Sequence, residues 1–262
     1  VNVRPATPED AGAVADLFNA LEETLLGQSS SFDVEAVRGW WQTIDYETNT
    51  WLIEDGGRLV AAAGGEVHDA LANAAGGVHP DAFGRGFGTR LLELAENRFV
   101  EEAARRMHSW TIAADEPASR LLAGRGFREV RRFWDMAIEF ADESPEPAVE
   151  CEVFREEDAE AFHSALEEAF SEHWEHRAWS FEDWWTRQRA RSNYDPSLWY
   201  LVRDGDEVVA ACRNEIRPSG GYVGALGVRK QARGRGYARA LLHHSFREFR
   251  RRGQTRATLG VD

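Results

Sequence analysis

Apolar and polar positions along the chain describe one succession of elements, and the succession runs twice. Residues 1–4 alternate as a short strand. Thr7-Pro8-Glu9-Asp10 sets a helix start: threonine caps, proline fits the first turn, and acids favour the positive end of the helix dipole. Val14, Leu17, Phe18 and Leu21 then recur at helical spacing. A second helix is predicted over residues 34–43, burying Val37, Trp40 and Trp41. Residues 51–54 and 58–63 flank Asp55-Gly56-Gly57 as a hairpin. Residues 66–69 continue its second strand, and 74–78 form a further strand. A glycine-rich loop leads into a helix over 88–105, then a strand over 109–113. A short helix over 118–123 ends at Gly124. Residues 127–140 read as the last strands of the first half.

Residues 141–148 hold Pro145 and Pro147 among acids and read as a linker. The order then restarts. Helices are predicted over 157–170 and 181–191, paired strands over 198–202 and 207–216, and a strand over 221–228. A second glycine loop, a helix over 238–251 and a strand over 255–261 follow. Landmarks repeat in register: Trp51 with Trp199, Glu66-Val67 with Glu215-Ile216, Trp40-Trp41 with Trp184-Trp185. Two domains are therefore expected, 1–142 and 149–262. The first half continues from Asp115 to Phe140 beyond the point matching the end of the chain. The second half is thus expected to lack its final helix and strands.

Length and composition fit two modest globular domains: 262 residues, of which 43% are hydrophobic. No apolar run reaches the roughly 18 residues that span a membrane, and no secretory signal is visible. Cys151 and Cys212 give neither a disulfide framework nor a metal spacing, so no metal is expected. A cytoplasmic location follows as the expectation. The net charge of -14 argues against nucleic acid as a partner and suits a cationic substrate. Between Arg229 and Arg256 the balance reverses, with nine arginines and Lys230 against Glu248 alone.

That basic stretch contains the second loop. Residues 78–92 read V-H-P-D-A-F-G-R-G-F-G-T-R-L-L, and residues 228–242 read V-R-K-Q-A-R-G-R-G-Y-A-R-A-L-L. Glycines let the backbone approach a bulky anion, and the helix that follows offers unpaired N–H groups. No Gly-Lys-Ser/Thr follows, so this is not a Walker loop. The acid of a dinucleotide-binding unit is also missing, which counts against a nucleotide-binding protein.

Arg233-x-x-Gly236-x-Ala238, after a strand and opening a helix, resembles motif A of the GCN5-related N-acetyltransferases, the GNAT superfamily. The resemblance covers nearly the whole chain. It implies an α/β fold, a mixed sheet with flanking helices, in tandem copies. It also implies acetyl-CoA as cofactor. The backbones of Leu226, Gly227 and Val228 would hold the acyl-pantetheine end. Arg233, Gly234, Arg235, Gly236, Tyr237, Ala238 and Arg239 would hold the pyrophosphate. In the first copy Gly76, Gly77 and Val78 match, with Gly84, Arg85, Gly86, Phe87, Gly88 and Thr89 as the loop. Phe83 stands where the family has Gln or Arg.

Tandem copies are similar to the mycothiol synthase-like group in particular. Residues 169–180 resemble that group's substrate-side segment, in which an acid follows a histidine by two. His173 and Glu175 fit, while Trp174, His176 and Arg177 depart from the group's Pro, Gln and Gly. Tyr222 stands where that group carries a glutamate. The departures imply a different amine substrate.

Acetyl transfer needs a neutral amine, a polarised thioester and a proton for the leaving thiol. Glu175 and Glu215 are the candidate catalytic carboxylates, with Glu66 a weaker counterpart. The family often uses a tyrosine as acid in the helix after the fifth strand. Leu122 occupies that position in the first half. The first half is thus expected to be catalytically degenerate and the second to carry the activity, as a monomer or homodimer. The competing expectation is a non-catalytic acyl-CoA-binding or regulatory module. The paired tryptophans are expected to pack helices, and Trp174 to wall a pocket.

Overall fold

The computed structural model describes residues 1–27, 32–140, 149–174, 176–191 and 193–261. The linker at 141–148 and the candidate Glu175 lie outside the described residues. Two compact units emerge, Val1–Val130 and Arg131–Asp262.

In the first unit β1 (Asn2–Arg4), β2 (Thr50–Asp55), β3 (Arg58–His68), β4 (Leu71–Val78) and β5 (Arg106–Ser109) form one sheet in chain order. The first four strands run antiparallel, and β5 pairs parallel with β4. A parallel neighbour needs a crossover, supplied here by α3 (Phe87–Glu101). Phe87, Leu91, Ala95 and Phe99 recur on one face of that helix and are buried with Trp51, Ile53 and Ala61. On the other side α1 (Ala11–Leu26) and α2 (Val34–Trp41) bury Val14, Leu17, Val37 and Trp41 against Leu52 and Ala62. The predicted start at Thr7 is a capped 3-10 turn, Pro8–Asp10, from which α1 runs on. A short α4 (Glu116–Gly124) follows β5.

The second unit repeats the plan. β7 (Glu152–Val153), β8 (Tyr200–Asp204), β9 (Glu207–Arg217), β10 (Gly220–Val228) and β11 (Arg256–Val261) are flanked by α5 (Ala159–Phe170), α6 (Phe181–Arg189) and α7 (Tyr237–Arg251). Its core is aromatic. Trp184 and Trp185 stack on one another, and the Phe154, Phe162 and Trp199 rings pack within about 6 Å. The repeated tryptophans thus join helices to the sheet, as their spacing suggested.

Two expectations need correction. The strand predicted over 109–113 lies earlier, at Arg106–Ser109. The parallel ladder to β4 ends at Ala74–Ser109, where the two chains diverge. The strands assigned to the first half over 127–140 reduce to β6 (Trp134–Glu139), which joins the second sheet. It pairs antiparallel with β11 from Arg256–Glu139 to Val261–Trp134. β5 has four residues of sequence RMHS, whereas β11 offers a six-residue edge with Thr258, Leu259 and Val261. The longer apolar edge satisfies more backbone groups.

Candidate active site

The second glycine loop opens α7 much as its sequence requires. Gly234 and Gly236 adopt φ values of 79° and 83°, open to glycine without strain. Gly236 is the left-handed residue just before the helix, and Ala240 is the first to bond back to it, at 3.0 Å. The N–H groups of Tyr237, Ala238 and Arg239 are therefore left without helical partners. They border a cleft of about 720 Å³. Leu226, Gly227 and Val228 line its strand side, and Ala169, Phe170 and His173 its helix side. Arg233, Gly234, Gly236, Tyr237, Ala238 and Arg239 close it. Every cofactor candidate named in this half except Arg235 thus lines one cavity. Trp174, expected as a wall, is exposed and not among the lining residues.

Arg235 is directed elsewhere. Its guanidinium donates to Asp204 in the β8–β9 hairpin at 2.7 Å, as Arg85 does to Asp55 in the first half. Arg233 donates to Glu172 at 3.0 Å, beside Lys230 at 2.8 Å. These two hydrogen bonds hold the Glu172 carboxyl below its usual range. The loop thus presents backbone N–H groups and the exposed Arg239 to the cleft, with its other basic groups seated on carboxylates.

The first unit builds the same loop, with Gly84 and Gly86 at φ values of 72° and 86°, leading into Phe87, Gly88 and Thr89 on α3. The groove above its strand differs. A Cβ placed on Gly77 would meet Leu21 Cδ2 at 2.6 Å and Phe18 at 3.2 Å. On Gly227 it would meet Ala169 Cβ at 2.7 Å. Leu21 and Ala169 are equivalent positions of α1 and α5: the first unit crowds its glycine with a leucine Cδ2, the second with an alanine Cβ. Leu122 is half-buried on α4 and carries no proton to donate.

A second difference lies within the strands. In the first unit β3 and β4 pair without interruption from Ala61–Val78 to His68–Leu71. In the second the register shifts between Val223 and Ala225, so Gly224 is a bulge. This position was not singled out in the sequence, although a signal was there. Glu66 and Glu215 are 149 positions apart, but Gly77 and Gly227 are 150. One residue has been inserted between them. The parallel ladder of β10 to β11 stops at Val223–Leu259, the same place as in the first unit, leaving the next stretch of β10 unpaired on that side.

Glu215 sits on β9 opposite Tyr222 and is 2% exposed. Arg191 Nη2 donates to it at 2.5 Å, Arg217 Nε at 2.7 Å and Arg213 Nη1 at 3.4 Å. Burial pushes its pKa up, but the charges of Arg191 and Arg217, a hydrogen bond from Arg217 and the Arg213 charge outweigh this, and the net shift is downward. Arg213 lies over the bulge, where a Cβ on Gly224 would meet its Nη2 at 2.8 Å. Arg217 covers the Tyr222 ring at 3.3 Å. In the first unit Glu66 meets the His68 ring instead, at 2.9 Å. Away from β9, the His176 ring lies 3.1 Å from Glu167 on α5. Among the described residues no group of three His, Cys, Asp or Glu could hold a metal. No helix there is long and apolar enough to cross a membrane.

Comparisons with known proteins agree with this geometry. The profile described as Acetyltransferase (GNAT) family matches residues 14–127 and 159–262. A mycothiol acetyltransferase of Geodermatophilus obscurus is 31% identical over 194 residues, 68% of this chain and 60% of the relative. One from Thermobispora bispora is 28% identical over 197 residues, 71% of this chain and 65% of the relative. The chain thus spans under two thirds of either relative's length. A crystal structure of a GCN5-related N-acetyltransferase from Sphaerobacter thermophilus superposes with a TM-score of 0.84 at 29% identity. It covers 100% of this chain and 86% of its own.

Proposed function

The chain belongs to the GNAT acetyltransferase family, and we propose that its second half transfers an acetyl group from acetyl-CoA to a small primary amine. One observation carries this reading: the cleft over Gly227, bordered by the unpaired N–H groups that open α7. Its shape fits the cofactor. The cleft runs along Leu226, Gly227 and Val228 to a glycine-bounded helix start, which accepts phosphate oxygens.

Acetyl-CoA would supply an activated acyl group as a thioester. Leu226, Gly227 and Val228 would hold its pantetheine end by backbone contacts. The backbone of residues 233–239, with Arg239, would hold the pyrophosphate. The Gly224 bulge interrupts pairing next to this stretch and would free backbone groups for the thioester carbonyl. The amine nitrogen forms the new N–C bond. The C–S bond breaks with its electron pair passing to sulfur, and the proton lost from nitrogen balances the thiolate.

In this reading the first half is a structural copy. Leu21 Cδ2 crowds Gly77, and Leu122 replaces the family's acid. Losing a general acid costs about 10²–10⁴ in rate. Glu215, ringed by arginines, orients those groups rather than accepting a proton. Calorimetric titration with acetyl-CoA, followed by thiol release with a panel of amines, tests the proposal. One site is expected, lost in Gly236→Glu and kept in Gly86→Glu. No binding to the intact chain overturns it.

A further inference from the structure

We infer that the acceptor of the second half carries, besides its amine, an anionic oxygen group, a carboxylate or a phosphate, seated on Arg191, Arg213 and Arg217. This rests on the acetyl-transfer reading and adds a substrate class to it.

The surroundings of Glu215 carry a charge imbalance. Three guanidinium groups converge on the single Glu215 carboxylate and leave two positive charges over. One arginine would neutralise a buried carboxylate. Two more, close enough to repel each other, cost stability unless something else uses them. Burial and the charge of Arg191 both pull the Arg213 pKa down, so this cation is held against its own preference.

The duplication supplies an internal control. Counting back 149 positions along β9, Arg213 corresponds to Gly64, Glu215 to Glu66 and Arg217 to His68. Among the described residues the first unit folds the same strand with the same glutamate and no such cluster. The fold therefore does not require the arginines. They accompany the Gly224 bulge, which interrupts β9–β10 pairing where β3 and β4 pair continuously.

Their placement suits an acceptor. Arg213 and Glu215 alternate on one face of β9, and their β10 partners are Ala225 and Tyr222, either side of the bulge. The cleft begins one residue further along, at Leu226. The array thus continues the cleft past the acyl end. The side chains of Arg191 and Arg217 are about a third exposed, at 37% and 34%, so they reach solvent while anchored on Glu215. On the β11 side the array is bounded by Tyr222 and Asp135. The Tyr222 hydroxyl and the Asp135 carboxylate lie 4.0 Å and 3.7 Å from where a Cβ on Gly260 would stand. Arginine forks match the two oxygens of a carboxylate or phosphate. In a chain of net charge -14, an anionic acceptor would need such a local cationic seat.

The test uses the intact chain with acetylated products as probes, so it reads binding without turnover. N-acetylglycine is titrated against N-acetylglycinamide, and N-acetylethanolamine phosphate against N-acetylethanolamine. Each titration is repeated with Arg191→Gln and Arg217→Gln. Acetyl-CoA is titrated in parallel. At least one anionic member is expected to bind about tenfold or more tightly than its neutral partner, with the preference reduced about tenfold in either variant. Whichever pair shows the preference identifies the oxyanion. Equal affinities within both pairs overturn the inference, as does a preference that survives both substitutions. Normal acetyl-CoA binding in that case leaves the acetyl-transfer reading standing. Loss of acetyl-CoA binding by the wild-type chain overturns that reading instead.

Discussion

Ala169 packs directly on Gly227: a Cβ on Gly227 would come within 2.7 Å of the Ala169 Cβ, too close for any side chain there. Leu21 stands in the same relation to Gly77 and reaches it with Cδ2. The exchange Ala169→Leu adds three carbons at a position that lines the cleft. Position 169 is half-buried at the rim of the cleft, so the larger side chain projects into open space. Acetyl-CoA affinity is expected to fall at least 100-fold, about 3 kcal/mol. The thermal midpoint should move by no more than a few degrees. Calorimetry and a melting curve on the same sample check both. Unchanged affinity would mean that the ligand runs elsewhere.

Glu215→Gln separates a base from a positioning group. With Arg191, Arg213 and Arg217 gathered on it, removal of the charge leaves three cations facing one amide. A loss of about 1–3 kcal/mol in stability is expected, since hydrogen bonds to a charged group disappear and repulsion is uncovered. Acetyl-CoA affinity should stay within a few-fold. In turnover the effect should fall on acceptor KM, and the acid limb of the pH–rate profile should stay in place. A general base would give the opposite result, a 10²–10⁴ fall in kcat with the acid limb displaced.

The chain announces its fold at two levels. Helix and strand periodicity gave the core faces of α1, α3, α5 and α7. The recurrence of Trp51, Glu66 and the glycine loops gave the duplication. The loop residues were legible because their chemistry is local: Gly234 and Gly236 need positive φ, and an anion needs free N–H groups. What was hidden depends on partners distant in sequence. Arg191 and Glu215 are separated by 24 positions, and nothing in the α6–β8 segment announces that Arg191 turns onto β9. The sequence presents Arg235 as a phosphate contact, and it is the hairpin, distant along the chain, that seats its guanidinium on Asp204. β6 was read as part of the first half because sequence order says nothing about which sheet has the longer open edge.

The Gly224 insertion gives a further test. Deleting Gly224 would restore the 149-position spacing and let β10 pair with β9 as β4 pairs with β3. The extra residue is what breaks the ladder, so its removal should cost little or no stability. The thioester carbonyl would lose the backbone groups that the bulge frees. Acetyl-CoA affinity should change by less than tenfold while kcat falls by about 10² or more, the scale of one lost oxyanion contact. Single-turnover thiol release separates the two quantities. Unchanged kcat would show that the bulge plays no part in the chemistry.

Asp10 makes a prediction about pH. Its carboxylate accepts two hydrogen bonds from Arg4 at 2.7 Å, as well as the Thr7 backbone N–H at 2.8 Å and hydroxyl at 3.0 Å. The Arg4 hydrogen bonds are the main cause that holds its pKa down at about 2; burial opposes them, and Thr7 adds to them. In the unfolded chain the group titrates near the ordinary value of about 4. A folded pKa below the unfolded one means stability that is present above pH 4 and drains away as the pH falls toward 2. Linkage gives about 2 kcal/mol at neutral pH. Asp10→Asn removes that dependence. Urea unfolding of both chains should show a gap of about 2 kcal/mol at pH 6, narrowing by about half at pH 3. The Arg4 guanidinium also holds Glu54 at 2.7 Å, so it retains one carboxylate in the variant and the sheet edge stays in place. A gap that is constant from pH 6 to pH 3 would mean that Asp10 contributes through the cap geometry alone, with no charge-dependent part.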